Sequence, residues 1–198
     1  MFASLSLFCL AVCGAQLPLD QGSQQPALST ATQSEAESAG AAVQDEPPPQ
    51  SRAGFAQVQF AYPHSRCAYP YSPTNFCDTT HRSAYAGALE DAPANFADGL
   101  ILLDILTRPG YYQKSLVVLE PDTGIVWPFP FDAYAGPLDA HGNPTGEGTL
   151  DFSPGSNTVC INGSLLVYHV IETGRFCFTF DAGQFEGHTT QYMQEPDN

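Results

Sequence analysis

The chain has 198 residues, of which 21 are acidic and 6 are basic, giving a formal charge of -15 at pH 7. This length corresponds to one domain with flanking segments, or at most to two small domains. Because so few Lys and Arg side chains are present to replace phosphate counterions, the charge excludes nucleic acid as a partner. It favours a basic protein instead, since an acidic surface accelerates encounter with a cationic one.

The first fifteen residues have the pattern of an export signal. Residues 5–12 are an apolar stretch and Cys13-Gly14-Ala15 offers small residues for cleavage, although no Lys or Arg precedes the stretch. It is too short for a spanning helix, which needs about 20 apolar residues. Residues 10–13 resemble a bacterial lipobox, so either Cys13 is lipidated or the chain is released as a soluble protein. Membrane attachment is expected only through such a lipid.

A polar segment separates this signal from the rest of the chain. Residues 16–53 contain no aromatic side chain and are dominated by Gln, Ala, Ser and Pro. Such a composition buries too little apolar surface to offset the entropy lost on ordering. We therefore predict a signal over residues 1–15, a disordered tether over 16–53 and a β-rich domain over 54–198.

The predicted domain begins with a loop rich in Tyr and Pro. Its sequence AYPHS is repeated as AYPYS, and Cys67 and Cys77 flank the second half. In an exported chain this arrangement favours a disulfide between the two cysteines. Its aromatic side chains either form a rigid recognition surface or cover the core of the domain. They are Tyr62, Tyr69, Tyr71 and Phe76.

A short helix and a strand are predicted next. Asp78-Thr79-Thr80-His81 is typical of a helix start, with the helix over residues 82–90. The continuous apolar run at residues 100–106 predicts a buried strand that carries Asp104 in its middle. A buried carboxylate needs a partner or a raised pKa. We expect a structural ion pair, with Arg108 as the nearby partner.

Two segments of the chain repeat each other. Residues 115–132 (SLVVLEPDTGIVWPFPFD) and 164–181 (SLLVYHVIETGRFCFTFD) both begin with Ser-Leu, pass through Thr-Gly and end with Phe-Asp. Such a repeat is typical of stacked β-hairpin units. In the first segment, Trp127 lies on an aromatic face that is either core or binding surface. Pro128 and Pro130 predict that this strand lies at a sheet edge or leaves the sheet.

The second segment contains a strong turn signal. Asn162-Gly163 predicts a tight hairpin turn between strands at residues 158–161 and 164–171. A further turn is predicted at residues 172–174. His169 then lies in the middle strand and is expected to be a core histidine.

This arrangement conflicts with the remaining cysteine pair. By elimination Cys160 and Cys177 should form a disulfide, but in a flat three-stranded meander a whole strand separates them. The separation is about 9–10 Å for a strand spacing of about 4.8 Å, whereas a disulfide requires Cα atoms within about 7 Å. Either the sheet is bulged or ordered differently, or the disulfides cross between the repeated units.

Several turn and packing motifs resemble a group of small exported bacterial proteins of unknown activity with propeller-blade-like hairpins. They are ANFADG (residues 94–99), VLEPDTGIV with PFPF (118–126 and 128–131) and LDFSPGS (150–156). The resemblance spans about residues 95–187 and implies no catalytic or binding residue. Two or three blades cannot close a propeller. The predicted fold is therefore all-β and mainly antiparallel, a partial propeller or small β-sandwich built from repeated hairpins, with at most one short helix.

No catalytic signature is recognised in the sequence. It has no Gly-x-Ser-x-Gly, His-Glu-x-x-His, Cys-x-x-Cys or phosphate-binding glycine loop, and its histidines lack ligand spacing. No metal or cofactor is expected. Export, tether, acidity and a small disulfide-bonded β-domain favour a non-enzymatic protein of the bacterial periplasm or outer envelope.

Three functions are compatible with these properties. The first is an inhibitor or immunity protein that binds a cationic cell-wall-degrading enzyme. The second is a structural or assembly component of the envelope. The third is a carboxylate-dependent hydrolase without a recognisable motif.

Overall fold

The computed structural model describes residues 52–194, in which nine strands form one curled mixed sheet, a half-barrel, with one α-helix beside it. The predicted all-β class with one short helix is confirmed. The predicted signal, with Cys13, and the tether up to residue 51 lie outside the described residues. Within that range no helix is long and apolar enough to cross a membrane.

The strands are numbered in chain order. They are β1 (Gln57–Val58), β2 (Ile101–Arg108), β3 (Gln113–Glu120), β4 (Ile125–Pro128), β5 (Ala133–Ala135), β6 (Thr149–Asp151), β7 (Thr158–Val167), β8 (Val170–Asp181) and β9 (Gln184–Gly187). The helix α1 (Thr79–Asp91) lies between β1 and β2, and short 3-10 helices cover Pro109–Tyr111 and Gln191–Met193. The helix predicted over residues 82–90 is present but begins three residues earlier, directly after Asp78, whose side chain caps it by accepting a hydrogen bond from the backbone N–H of His81.

The sheet has two halves joined by the short strand β5. In the first half, β2 pairs with one edge of β3, while β4 and then β5 pair with its other edge. In the second half, β8 pairs with one edge of β7 and with β9, while β5 and β6 share the other edge of β7. These pairs are all antiparallel, and β1 adds a parallel pair to β4.

Both repeated segments form hairpins, but the second turns at a different place from the predicted one. β3 and β4 turn through Thr123 and Gly124, as predicted. β7 and β8 turn at Tyr168-His169, so the prediction of a turn at Asn162-Gly163 is wrong. Gly163 lies within β7, where a Cβ atom would stand 2.1 Å from the carbonyl oxygen of Ala135. The close approach of β5, and not a turn, therefore requires a glycine at position 163.

This later turn removes the conflict over the second disulfide. β7 and β8 are adjacent, and Cys160 lies directly opposite Cys177 with Cα atoms 4.0 Å apart. The two form a disulfide, and Cys67 and Cys77 form the other predicted one, with Cα atoms 5.6 Å apart. Two intramolecular disulfides indicate an oxidising environment. The later turn also makes the core assignment of His169 wrong, because the side chain is exposed in the turn.

The strand predicted as buried over residues 100–106 is only partly buried, because it lies at an edge of the sheet. β2 pairs with β3 alone, and Leu106 is 46% exposed. Asp104 is paired with Lys114, whose Nζ lies 2.9 Å from Asp104 Oδ2, and not with Arg108 as predicted. Lys114 lies opposite Leu106 in the ladder, which brings its ammonium within reach of the carboxylate. The expectation of a structural ion pair is confirmed with a different partner.

Candidate functional site

A polar cleft of about 170 Å³ opens where three parts of the fold meet. These are the loop closed by Cys67–Cys77, the beginning of α1 and the ends of the β2–β3 and β7–β8 hairpins. Polar groups predominate in the lining, which comprises Pro73, Thr74, Asn75, Asp78, Thr80, His81, Thr107, Arg108, Gln113, Ala133 and Leu166. We call it the α1–β2 cleft.

Most of the exposed apolar side chains belong to the chain segments that line this cleft. Tyr71 is 83% exposed and lies two residues before the first lining residue, Pro73, while Tyr111 and Tyr112 lie between the lining residues Arg108 and Gln113. Leu106, Val170 and Ile171 come from the same two hairpins. Of the seven large hydrophobic side chains exposed in the described range, these are six, and Phe152 is the seventh. An apolar margin around a polar cleft is typical of a binding surface.

Three tyrosines beside the cleft have an unusual backbone conformation. Tyr71, Tyr112 and Tyr168 have φ of 63°, 54° and 61°, in the left-handed region. L-residues with a bulky side chain rarely adopt it, because the Cβ atom crowds the following carbonyl at about 1–2 kcal/mol per residue. The Tyr71 and Tyr168 rings are in contact, with centroids 5.7 Å apart. We call these three residues the tyrosine rim.

Asp132, a buried carboxylate, holds two members of this rim in place. It is 1% exposed and accepts hydrogen bonds from the Ser72 hydroxyl, from the backbone N–H of Tyr168 (2.7 Å) and from the Tyr192 hydroxyl (3.0 Å). Burial raises the pKa of Asp132, against the effect of these bonds and of the Arg108 charge. One carboxylate therefore bonds to the backbone of Tyr168 and to the side chain of Ser72, the residue that follows Tyr71.

Below the cleft lies a chain of hydrogen-bonding groups with the order Asp–His–Ser. His81 Nδ1 donates to Asp78 Oδ1 at 2.8 Å, and His81 Nε2 lies 3.3 Å from Ser115 Oγ. Burial by itself raises the pKa of Asp78, but the hydrogen bonds from the backbone and ring of His81 outweigh it and leave the pKa below its ordinary value. The connectivity is that of a serine hydrolase triad.

The environment of Ser115 favours a structural role for this chain of groups. Ser115 is 0% exposed, and its hydroxyl donates to the backbone carbonyl of Asp132 at 3.1 Å. Its counterpart in the repeat, Ser164, is equally buried and donates to the carbonyl of Gly136 at 2.8 Å. Because the repeated serine ties a backbone carbonyl in both places, Ser115 needs no catalytic explanation.

Most of the aromatic residues proposed as binding residues from the sequence belong to the core. Tyr69 is 1% exposed and donates to the carbonyl of Pro128 (2.8 Å), and Phe76 is fully buried. Trp127 is also buried, with its Nε1 donating to Glu120 Oε1 at 2.7 Å. Tyr62 is half-buried and donates to a backbone carbonyl. Of the two alternatives left open by the sequence, these residues therefore fit the one in which they cover the core, and Tyr71 alone among the candidates is highly exposed.

Sequence reasoning missed the rim residues outside the disulfide loop. Tyr112 follows Pro109-Gly110, a turn signal that was available in the sequence. Tyr168 falls within a predicted strand because the Asn162-Gly163 signal predicts an earlier turn. That signal conceals an aromatic residue at the tip of the actual hairpin.

Comparisons with protein-family models, with curated proteins and with solved structures find no match to this chain. Among residues 52–194 no group of three or more His, Cys, Asp or Glu side chains is placed to hold a metal ion.

Proposed function

We propose that this chain is a non-enzymatic recognition protein of the bacterial envelope and that the tyrosine rim is its binding surface. Its partner is a basic protein, with a cationic cell-wall-degrading enzyme as the best candidate. The observation that carries the proposal is the left-handed backbone of Tyr71, Tyr112 and Tyr168.

The fold alone would favour residues other than tyrosine at these three positions. A turn that needs positive φ is formed most easily by Gly, followed by Asn or Asp. A tyrosine there costs about 1–2 kcal/mol relative to a residue without that strain. Core packing does not offset this cost for Tyr71, which is 83% exposed, or for Tyr112, which is 42% exposed. The side chains are therefore explained by a contact outside the chain.

Tyrosine is well suited to such a contact. Its ring supplies a large, rigid and amphipathic surface with little conformational entropy to lose. Its face also attracts Lys and Arg side chains through cation–π interactions. Together with the formal charge of -15, this favours a cationic partner, whose approach the acidic chain accelerates.

The proposed compartment rests on two further features. The disulfides Cys67–Cys77 and Cys160–Cys177 indicate an oxidising environment. The signal pattern in residues 1–15 favours export, and the polar segment after it favours a tether to the envelope.

Glycine substitution at the rim tests the proposal. The oxidised full chain is titrated with a cationic lysozyme and with basic wall hydrolases from an envelope extract, by calorimetry at low and physiological salt. Tyr71→Gly and Tyr112→Gly remove the rings and relieve the backbone strain. We expect each to weaken binding about tenfold or more, as removal of a central aromatic contact does, while Tm stays the same or rises.

Ala182→Gly is the matched control, because Ala182 also has positive φ (45°) but lies in the turn between β8 and β9. It should leave affinity unchanged. Wild-type binding should also weaken with salt, since exposed charges are screened. An affinity that both tyrosine variants retain would contradict the proposal.

The Asp78–His81–Ser115 connectivity makes a serine hydrolase the second candidate. It requires Ser115 to become accessible and to release its bond to the Asp132 carbonyl. Ester and peptidoglycan hydrolysis by the full chain, lost in Ser115→Ala and retained in Ser164→Ala, would favour this candidate over the first.

A further inference from the structure

The α1–β2 cleft has one carboxylate and one guanidinium among its lining residues. Asp78 stands at the N-terminus of α1 with a side chain that is 46% exposed, and Arg108 stands at the end of β2. Within residues 52–194 the guanidinium of Arg108 makes no hydrogen bond or ion pair, whereas Lys114 and Arg175 are ion-paired. Asp78 and Arg108 therefore line one cleft without forming an ion pair with each other, although the Arg108 charge also acts on the buried Asp132.

His81 bonds to only one oxygen of the Asp78 carboxylate, which the backbone N–H of Thr80 also stabilises. Both bonds from His81, from its backbone N–H (2.9 Å) and from its ring (2.8 Å), end on the same oxygen, Oδ1. These bonds favour the ionised carboxylate, so Asp78 keeps its charge at neutral pH.

These two charges restrict what the cleft can bind. A simple cation would pair with Asp78 but would be repelled by Arg108, and a simple anion would meet the opposite problem. A molecule that carries both an ammonium and a carboxylate satisfies both groups. Arg is well suited to the carboxylate, which it can bind with two parallel N–H groups.

The size and the remaining lining narrow the ligand further. A volume of about 170 Å³ corresponds to about six water molecules at about 30 Å³ each, which suits a single amino acid and not a folded segment. The Thr74 hydroxyl and the Asn75 side-chain NH2 group can form hydrogen bonds there, whereas the Thr107 hydroxyl already donates to the carbonyl of Gln113 (3.1 Å) and can only accept. Ala133 and Leu166 supply an apolar wall for a small side chain.

We propose that the α1–β2 cleft binds a free α-amino acid with a small side chain, its ammonium at Asp78 and its carboxylate at Arg108. This binding is separate from the contact proposed for the tyrosine rim and needs no protein partner. It makes the chain a receptor for a small zwitterion in addition to a recognition protein.

The test compares zwitterions with their singly charged analogues. The oxidised full chain is titrated with L- and D-alanine, with ethylamine and with propionate, and binding is followed by NMR chemical shifts. We expect alanine to bind with Kd of about 1 mM or tighter, and each analogue to bind at least tenfold more weakly.

Charge-neutral variants assign the two ends of the ligand. Asp78→Asn removes the charge but keeps a residue that caps helices equally well, and Arg108→Gln removes the guanidinium. Each should weaken alanine binding at least tenfold, with unchanged far-UV circular dichroism. Arg175→Gln, which removes a cation that is already paired with Asp151, should have no effect.

Two results would overturn the inference. One is no shift with alanine at about 20 mM, well above the expected Kd. The other is equal binding of ethylamine and alanine, which would leave Arg108 without a role. Because Tyr71→Gly should retain alanine binding, a failure of this inference and a failure of the proposed rim contact give different patterns.

Discussion

Ser115 and Ser164 donate hydrogen bonds to the backbone carbonyls at the two ends of β5, those of Asp132 (3.1 Å) and Gly136 (2.8 Å). β5 covers only Ala133–Ala135, yet it joins the two halves of the sheet. The serines come from β3 and β7, the strands on either side of it. The serine at the start of both repeated segments therefore has a physical explanation. It attaches β5, which is too short to be held in the sheet by its own ladder hydrogen bonds.

Replacing either serine should destabilise the fold. Ser115→Ala and Ser164→Ala each remove the donor to a buried carbonyl, and we expect the free energy of unfolding to fall by about 1–3 kcal/mol. Urea denaturation measures it. Ser83→Ala, at an exposed position of α1, serves as control and should change little. A destabilisation by Ser164→Ala alone would show that Ser115 has another purpose.

Gly163 and Gly174 should respond differently to the same substitution, although they are directly paired across β7 and β8. A Cβ atom at Gly163 would meet the Ala135 carbonyl at 2.1 Å, whereas at Gly174 the nearest atom is a Phe176 ring carbon at 3.6 Å. We expect Gly163→Ala to lower Tm by 10 °C or more, a loss of roughly 2 kcal/mol or above for a domain of this size. Gly174→Ala should be tolerated. Equal effects would contradict the close approach of β5.

Removal of the disulfide between the two long strands should be costly. Cys160 and Cys177 are separated by 17 positions in sequence, and a link that closes such a loop stabilises by about 3 kcal/mol through the unfolded state. The double variant Cys160→Ser/Cys177→Ser should lose about that amount in urea denaturation. The wild type with a reducing agent should behave similarly or worse, since Cys67–Cys77 is then also lost. An unaltered unfolding midpoint would show that the link adds nothing.

Two aspartates should give the stability opposite dependences on pH. Burial raises the pKa of Asp132 above 3.8 in the folded state, so the folded chain holds this proton more tightly than the unfolded chain. Its contribution to stability therefore declines as pH rises from about 3.8 through the folded pKa. The pKa of Asp78 is lowered from 3.8. Its contribution is present above pH 3.8 and is lost as pH falls through the folded pKa.

Urea denaturation between pH 2 and pH 7 distinguishes the two groups. Relative to the wild type, Asp132→Asn should remove a decline of stability with rising pH, and Asp78→Asn should remove a gain. Asp122→Asn, at an exposed turn position, is the control. A change of the same sign in both variants would be inconsistent with the two environments.

Local sequence signals predicted the parts of the fold that local interactions determine. The Asp78 cap, the Thr123-Gly124 turn and the departure of the chain from the sheet after Pro128 all depend on nearby residues. The Asn162-Gly163 signal failed because the approach of a distant strand, β5, and not a turn, explains this glycine. The local sequence alone cannot distinguish a glycine that a turn requires from a glycine that a neighbouring strand requires.

The candidate site was less predictable for a similar reason. Tyr69 and Tyr71 lie in the same short motif, but one is buried under Pro128 and the other is almost fully exposed. The difference in their exposure depends on Asp132, which bonds to Ser72 beside Tyr71, and on Tyr192, which stacks on Tyr69. Both residues are distant in sequence from this motif. The cleft itself is formed by segments between residues 73 and 166, so no local pattern indicates it.

The position of Cys160–Cys177 also affects how the longest hairpin selects its alignment. Gly163 faces Gly174 near the centre of the β7–β8 ladder, where no side chain distinguishes the native pairing from one shifted by a residue. The disulfide lies three pairs away and allows only the native alignment. A hairpin shifted by one residue would turn Phe176, Phe178 and Phe180 to the solvent-facing side of the sheet. There they would form an exposed apolar surface that favours association with other copies of the chain. In an oxidising compartment the covalent link removes that slipped and aggregation-prone form from the accessible states.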